Sequence, residues 1–342
     1  MSMAATWQQS ARRHPYRLLL LLVLLLALAW LFLAVWPPGF EAVFGKKKVF
    51  VSAVLNGLTL GSLYFLVACG FSLIFGLMKN VNLAHGTLYL FGGYIGYAVQ
   101  DATGSWLLSI FAAFVTMAVA GALLQVTVFR RLEGQELRQV LMTIGVGLCV
   151  ADIMLWIWGG GFYQVLAPSW SKGAVELPFA TAVNSSGEVI YLSYSFIRLI
   201  VLAASVALGI GLWLLINRTK VGMMIRAGVD DSTMLAATGA RVQILFIAVF
   251  AFGAGLTGIA GVVGGTLQSL APGEDARFLL ASLVVVIVGG MGSITGAAIG
   301  ALLVGLAEQL GSVYASTYAV LVTFVIMVAV LAIRPQGIMG RR

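Results

Sequence analysis

The chain has 342 residues, of which 61% are hydrophobic and only 9% charged, with a formal net charge of +8. A mean hydropathy of +1.04 excludes an ordinary water-soluble domain, and the basic residues, scattered at the ends of apolar runs, argue for membrane topology over nucleic-acid binding. Cys69 and Cys149 both sit inside apolar runs, which excludes a disulfide framework, and His14 and His85 are the only histidines, which leaves neither metal-ligand spacing nor a nucleophile–base pair for an enzyme.

Taken in chain order, Arg12, Arg13, His14 and Arg17 precede an apolar run, Leu18–Trp36, that stops at Pro37-Pro38-Gly39. The run lacks a small-residue cleavage site, so it reads as an uncleaved first span rather than a signal peptide. Residues 1–49 are therefore a basic segment, an extra span and a linker. Further spans are expected at Phe50–Leu77, Leu83–Val99, Leu107–Phe129, Val140–Trp158, Phe196–Ile216 and Leu245–Val263. Two short Gly-rich segments follow, Phe278–Gly290 and Gly296–Leu310, and then a last span, Tyr318–Ile333. Backbone groups in lipid must be satisfied within the segment, and nothing alternates like a barrel strand. The expected fold is an all-α polytopic membrane protein with about 10 membrane helices, some short and Gly-broken, with both ends inside. The 41 glycines suit helices that associate by close backbone approach. With the N-terminus inside, fourteen of the 20 Lys and Arg residues fall on the inner side, and Lys46–Lys48 is the main exception.

That orientation puts a loop over 217–244 inside. It contains RAGVDDSTMLAATGA, residues 226–240. Asp230 and Asp231 suit a helix N-terminus and Gly239 its stop, so a helix of about two turns is expected between them. Met234, Leu235 and Ala237 are then available for a facing groove. This element is either a handle for another protein or a solvated connector, and connectors are usually shorter and need no apolar face.

Four stretches carry a resemblance. They are LNGLTLGSLYFLVACGFSLIFGLMKNVNLAHG (55–86), KVGMMIRAGVDDSTMLAATGARV (220–242), FAFGAGLTGIAGVVGG (250–265) and VVVIVGGMGSITGAAIGALLVGLAE (284–308). In order and spacing they resemble the inner-membrane permeases of branched-chain amino acid ABC importers, the LivH/LivM type. The resemblance makes 50–342 an importer permease domain and 217–244 its ATPase-coupling loop, with Arg226, Ala227, Asp230, Asp231, Leu235, Ala236, Ala237 and Gly239 as the coupling residues. It implies a second homologous permease, two cytoplasmic ATPase subunits and a periplasmic solute-binding protein as partners, in a lipid membrane and without nucleic acid. No cofactor is expected on this chain, and ATP-Mg belongs to the partner subunits. There is no phosphate loop: GGMGSITG (289–296) lacks the lysine and reads as a tight turn. Leu235 departs from the family pattern, where a small Ala is usual, and no glutamate precedes Ala236-Ala237.

Candidate path residues are Asn56, Asn82, His85, Gly86 and Glu308. Asn80, Asn82 and His85 read either as a polar constriction or hinge, or as capping, with Asn82 as the cap and Gly86 easing close packing. Asp152 and Glu308 are the acids inside predicted spans, although Asp152 is only about 9 Å from a span end at helical rise. Alternative readings are an ATPase-independent secondary transporter or channel, with Asp152 and Glu308 as proton-coupling groups, and, within the importer reading, urea, short amides or other amino acids as solute.

Overall fold

The computed structural model describes residues 47–78, 81–183 and 189–340. The predicted first span, Leu18–Trp36, and Asn80 fall outside the described residues. The chain divides into two units. The described part of the smaller one holds residues 47–52 and the facing strands of a two-stranded sheet, β1 (Ala174–Val183) and β2 (Val189–Ser195). This hairpin was not expected and qualifies the all-α reading. Its strands fall between two predicted spans, where helical periodicity does not apply.

The larger unit is helical. Its elements are α1 (Lys47–Met78, from residue 53 onward), α2 (His85–Thr103), α3 (Trp106–Leu124), α4 (Glu136–Trp158), α5 (Phe196–Arg218), α6 (Lys220–Asp230), α7 (Ser232–Ala237), α8 (Val242–Leu267), α9 (Glu274–Gly289), α10 (Ile294–Tyr314) and α11 (Ala319–Ile333). Six helices among the described residues are long and apolar enough to cross a membrane: α1, α3 with the turn that extends it to Phe129, α4, α5, α8 and α10. The chain is thus a polytopic helical membrane protein. Two details of the sequence reading are corrected. Gly296–Leu310 is part of a full-length helix of 21 residues, and glycines lie within continuous helices instead of breaking them. Many of these glycines sit where another helix presses close, although Gly145 and Gly211 face open space. A Cβ on Gly305, for example, would overlap the Gly61 backbone nitrogen, so α10 and α1 meet backbone to backbone. Contact of that kind offsets glycine's weak helix propensity, about 1 kcal/mol per residue.

The helix ends are set by local chemistry. Gly104, at φ +71°, stops α2, and Ser105 Oγ accepts from Leu108 N at 3.3 Å to start α3. Beyond α3 a π turn, Gln125–Phe129, leaves carbonyls without helical partners. Gln139 Nε2 of α4 donates to Phe129 O, the last carbonyl of that turn, at 3.3 Å, and to Leu132 O, three residues beyond it, at 2.8 Å.

The helices α1 and α8 run through the middle. The most apolar window of α1 is 89% buried, against 17% for α4 and α5, which present their apolar faces outward as lipid- or partner-facing helices do. α8 packs on α2 and α3. Tyr89 of α2 stacks on Phe278 of α9 at 4.1 Å between ring centroids, and Tyr64 of α1 meets the same ring edge-on at 5.7 Å. Trp106 Nε1 donates to Thr266 Oγ1 at 2.9 Å, joining α3 to α8.

Candidate functional site

Two cavities lie at opposite ends of the bundle. The first takes Asn56 and Leu60 from the first half of α1, Leu63 from its middle, and Leu267 and the following Gln268 from the end of α8. The second takes Leu77 and Met78 from the end of α1 and Val242 and Gln243 from the beginning of α8. From Gln243 to Leu267 the α8 axis covers about 36 Å at 1.5 Å per residue, roughly the thickness of a bilayer.

The cavity at the Glu308 end has a volume of about 310 Å³. Leu60, Leu63 and Leu267 form its apolar wall, and Asn56, Arg198, Gln268, Arg277, Glu308, Gln309 and Ser312 supply polar groups. Glu308 Oε2 accepts from the Tyr64 hydroxyl at 2.6 Å, and Oε1 accepts from Arg277 Nη2 at 3.2 Å. Arg277 also pairs with Glu274 Oε2 at 3.2 Å and donates to Gln268 Oε1 at 3.3 Å. Arg198 Nη1 donates to Asn56 Oδ1. One clip therefore ties α9 to α10 and α1, and another ties α5 to α1, with the cavity between them. Two of the sequence candidates, Asn56 and Glu308, meet here. Sequence reasoning counted Arg198 and Arg277 only as loop charges and missed their role in the cavity. The Glu274–Arg277 spacing of i,i+3 was the one local signal, whereas Arg277–Glu308 joins residues on different helices.

At the other end the predicted single short helix is two helices. Thr219 Oγ1 accepts from Gly222 N at 3.1 Å and starts α6. Arg226 Nη1 donates to the Ile216 carbonyl, so this residue closes the C-terminus of α5, a favourable place for a cation. Asp230 is the last residue of α6, not a cap; its side chain is outside the described ones. Asp231 is the N-cap of α7. Its Oδ1 accepts from Thr233 N at 2.9 Å, Met234 N at 3.0 Å and Thr233 Oγ1 at 2.8 Å. The hydrogen bonds from Met234 and from the Thr233 hydroxyl hold this carboxyl below its ordinary pKa. Asp231 N in turn donates to Ala227 O at 2.9 Å. Gly239, at φ +84°, ends the element, with its N–H on Ala236 O at 2.9 Å.

Leu235 corrects an expectation. It is buried over Gly228, where an added Cβ would lie 3.3 Å from Leu235 Cδ2 and 3.2 Å from Leu77 Cδ1. It anchors α7 to the bundle and is not free to enter a partner's groove. Met234 is 69% exposed, and Ala236 and Ala237 are exposed beside it. Ala236, Asp231 and Thr233 border the second cavity, about 650 Å³, whose far wall carries Arg130, Glu133 and Glu136.

The remaining candidates lie in neither cavity. His85 is fully buried, with Nε2 at 3.0 Å from Val67 O and 3.1 Å from Thr257 Oγ1. A carbonyl can only accept, so Nε2 carries the hydrogen and His85 pins α2 to α1 and α8. Asn82 Oδ1 accepts from Ala84 N at 3.0 Å in an Asx turn, and the N-cap position of α2 is Ala84, with no side-chain cap. A Cβ on Gly86 would overlap the Asp275 carbonyl oxygen, so Gly86 is a point of close α2–α9 approach. Asp152 is on the exposed face of α4.

A helical bundle about one bilayer thick, with a charged cavity at one end and a capped, exposed short helix at the other, defines a membrane transport subunit. Its family follows from sequence comparison: the chain belongs to the branched-chain amino acid transport system / permease component family, whose model matches residues 53–331. It is similar to the high-affinity branched-chain amino acid permease protein BraD of Pseudomonas aeruginosa, with 27% identity over 85% of this chain and 96% of that protein. LivH of Escherichia coli is 28% identical, again over 85% and 96%. LivM of the same organism is 26% identical over 94% of this chain and 75% of its own length. No solved structure matches. The chain is an ABC importer permease subunit, a transport component and a multi-pass protein of the bacterial inner membrane.

Proposed function

We propose that this subunit forms half of a translocation path for branched-chain amino acids and that α6–α7 receives the movement of a cytoplasmic ATPase. The observation that carries the reading is α7 itself: capped at both ends, anchored through Leu235, and exposed at Met234, Ala236 and Ala237. A rigid, locally stabilised projection transmits displacement, which a solvated connector would absorb. The substrate follows from the relatives BraD, LivH and LivM, which are branched-chain amino acid permease proteins.

In this reading the Asp231 end faces the cytoplasm, both chain termini are inside, Leu18–Trp36 is a retained first span, and about ten segments enter the membrane. The second half of the path is a homologous permease. Two ATPase subunits hold ATP-Mg, and a periplasmic solute-binding protein delivers the solute to the Glu308 end. Nucleotide shifts the inward- and outward-open populations only by binding one of them more tightly.

The test is a Met234→Cys variant in native membranes. Labelling by an impermeant maleimide in inside-out but not right-side-out vesicles, together with cross-linking to an ATPase subunit, is the expected result. Labelling only from the outer side would sink the coupling role. Uptake by the chain without an ATPase, driven by an ion gradient, would replace it with secondary transport.

A further inference from the structure

The expectation for such a subunit is a path lined by small apolar residues, with recognition left to the soluble receptor. The cavity at the Glu308 end is different: it sets charges of both signs against an apolar wall. We propose that it is a binding site for the zwitterionic head of a small α-amino acid, with Arg277 and Arg198 facing the carboxylate, Glu308 the ammonium, and Leu60, Leu63 and Leu267 the aliphatic side chain. The proposal rests on the import reading above and names the solute groups that this chain itself reads.

The geometry supports exchange. Glu308 makes one bond from each oxygen, to Tyr64 and to Arg277, and a carboxylate has about four acceptor sites. Arg277 makes three contacts, to Gln268, Glu274 and Glu308, from a guanidinium with about five N–H donors in a planar fork suited to carboxylates. A zwitterion inserted into the Arg277–Glu308 pair gives each protein charge a new opposite partner and leaves the net charge of the cavity unchanged. A carboxylate alone takes Arg277 and leaves Glu308 with the Tyr64 hydroxyl but no cation, and an amine alone takes Glu308 and leaves Arg277 with Glu274 as its acidic partner; only a zwitterion replaces both halves of the pair. A neutral amide gains no charge partner at all. The volume of about 310 Å³ is at the small end of ligand cavities, which run from about 300 to 1,000 Å³. Because the ligand must displace an existing ion pair, binding is weak, which suits a site that has to release its cargo. The side chains are also partly hydrated, Arg277 at 43% and Glu308 at 20% exposure, so ions enter without the full desolvation penalty.

The experiment uses the whole transporter with Ser312→Cys at the cavity rim, in a Cys149→Ser background because Cys149 is exposed and Cys69 is buried. The readout is the rate of maleimide labelling at residue 312. L-Leucine is expected to slow labelling at least fivefold, whereas isocaproate, isoamylamine and acetamide at the same concentration change it less than twofold. Adding Glu308→Gln should abolish leucine protection, and Glu308→Asp should restore part of it. Protection by isocaproate or isoamylamine equal to that by leucine would overturn head-group recognition, as would protection by acetamide alone or no protection by leucine. ATP-driven leucine uptake by the Cys149→Ser parent separates the two readings. Protection without ATP-driven uptake keeps the site and removes the coupling role. Uptake without protection keeps the function and removes the site.

Discussion

The two ends of this bundle are polar for different reasons. At the Asp231 end the polar groups bond to their own neighbours: Asp231 to Thr233 and Met234, Thr219 to Gly222, Gly239 to Ala236. At the Glu308 end they bond across the fold: Tyr64 and Arg277 to Glu308, Arg198 to Asn56. The first arrangement stiffens an exposed element without tying its outer face to the bundle. The second clamps four helices round a cavity. A transport subunit needs both, a projection that another protein can push and a chamber whose walls move when it is pushed.

The sharpest way to break this comparison is at Met234, which is 69% exposed. Met234→Glu should lower ATP-driven uptake by the assembled transporter more than tenfold. Its effect on thermal stability should stay within about 0.5 kcal/mol, as for other surface changes. A large loss of stability with normal coupling would show that α7 belongs to the core. Arg277→Gln should cost about 1–2 kcal/mol in denaturation measurements, because two glutamates lose their partner; the partial exposure of the pair keeps the value below that of a fully buried one. Restoration by Arg277→Lys would indicate that charge rather than the planar fork matters.

Smaller effects refine the picture. Gly239→Ala forces a side chain into φ +84° and should cost about 1 kcal/mol, read as faster proteolysis of the α6–α8 connection with the spans intact. Thr266→Val removes the Trp106 bond within the bundle, worth about 0.6 kcal/mol for such contacts in membranes, and should shift the unfolding midpoint slightly. The smallest effect is on pH dependence. Asp231 has a depressed pKa, so its cap is at full strength above the ordinary carboxylate pKa of about 4 and weakens as the pH falls through the lower folded-state value. Asp231→Asn should keep the acceptor and flatten that acid-side loss, measured as the thermal unfolding midpoint between pH 3 and 7.

How much of this was legible depends on range in the chain. The spans near 50–77, 107–129, 140–158, 196–216 and 245–263 were readable because lipid demands long apolar helices, and each appears in the structure with ends shifted by a few residues. Gly239 as a stop and Asp231 as a cap were readable because those bonds close within three residues. The expectations that failed needed a neighbour. Leu235 reads as an exposed anchor until Gly228 and Leu77 are seen beneath it, and Asn82 reads as a cap until its bond goes to Ala84. The break expected within Gly296–Leu310 failed too, whereas the close backbone approach expected of glycines is found at Gly61 and Gly305, where a partner helix offsets the cost of Gly in a helix.

The sequence by itself determined the class of the molecule, its membrane helices and the capped projection between α5 and α8, since each follows from solvent or from bonds spanning a few residues. Tertiary structure alone decided that Asn56, Arg198, Arg277 and Glu308 share one chamber, with Tyr64 bonded to Glu308 from behind its wall, while His85 is locked away from both cavities. Side chains up to 244 positions apart meet only where helix packing brings them together, and in lipid that packing depends on shape and close backbone contact, which no short stretch of sequence encodes.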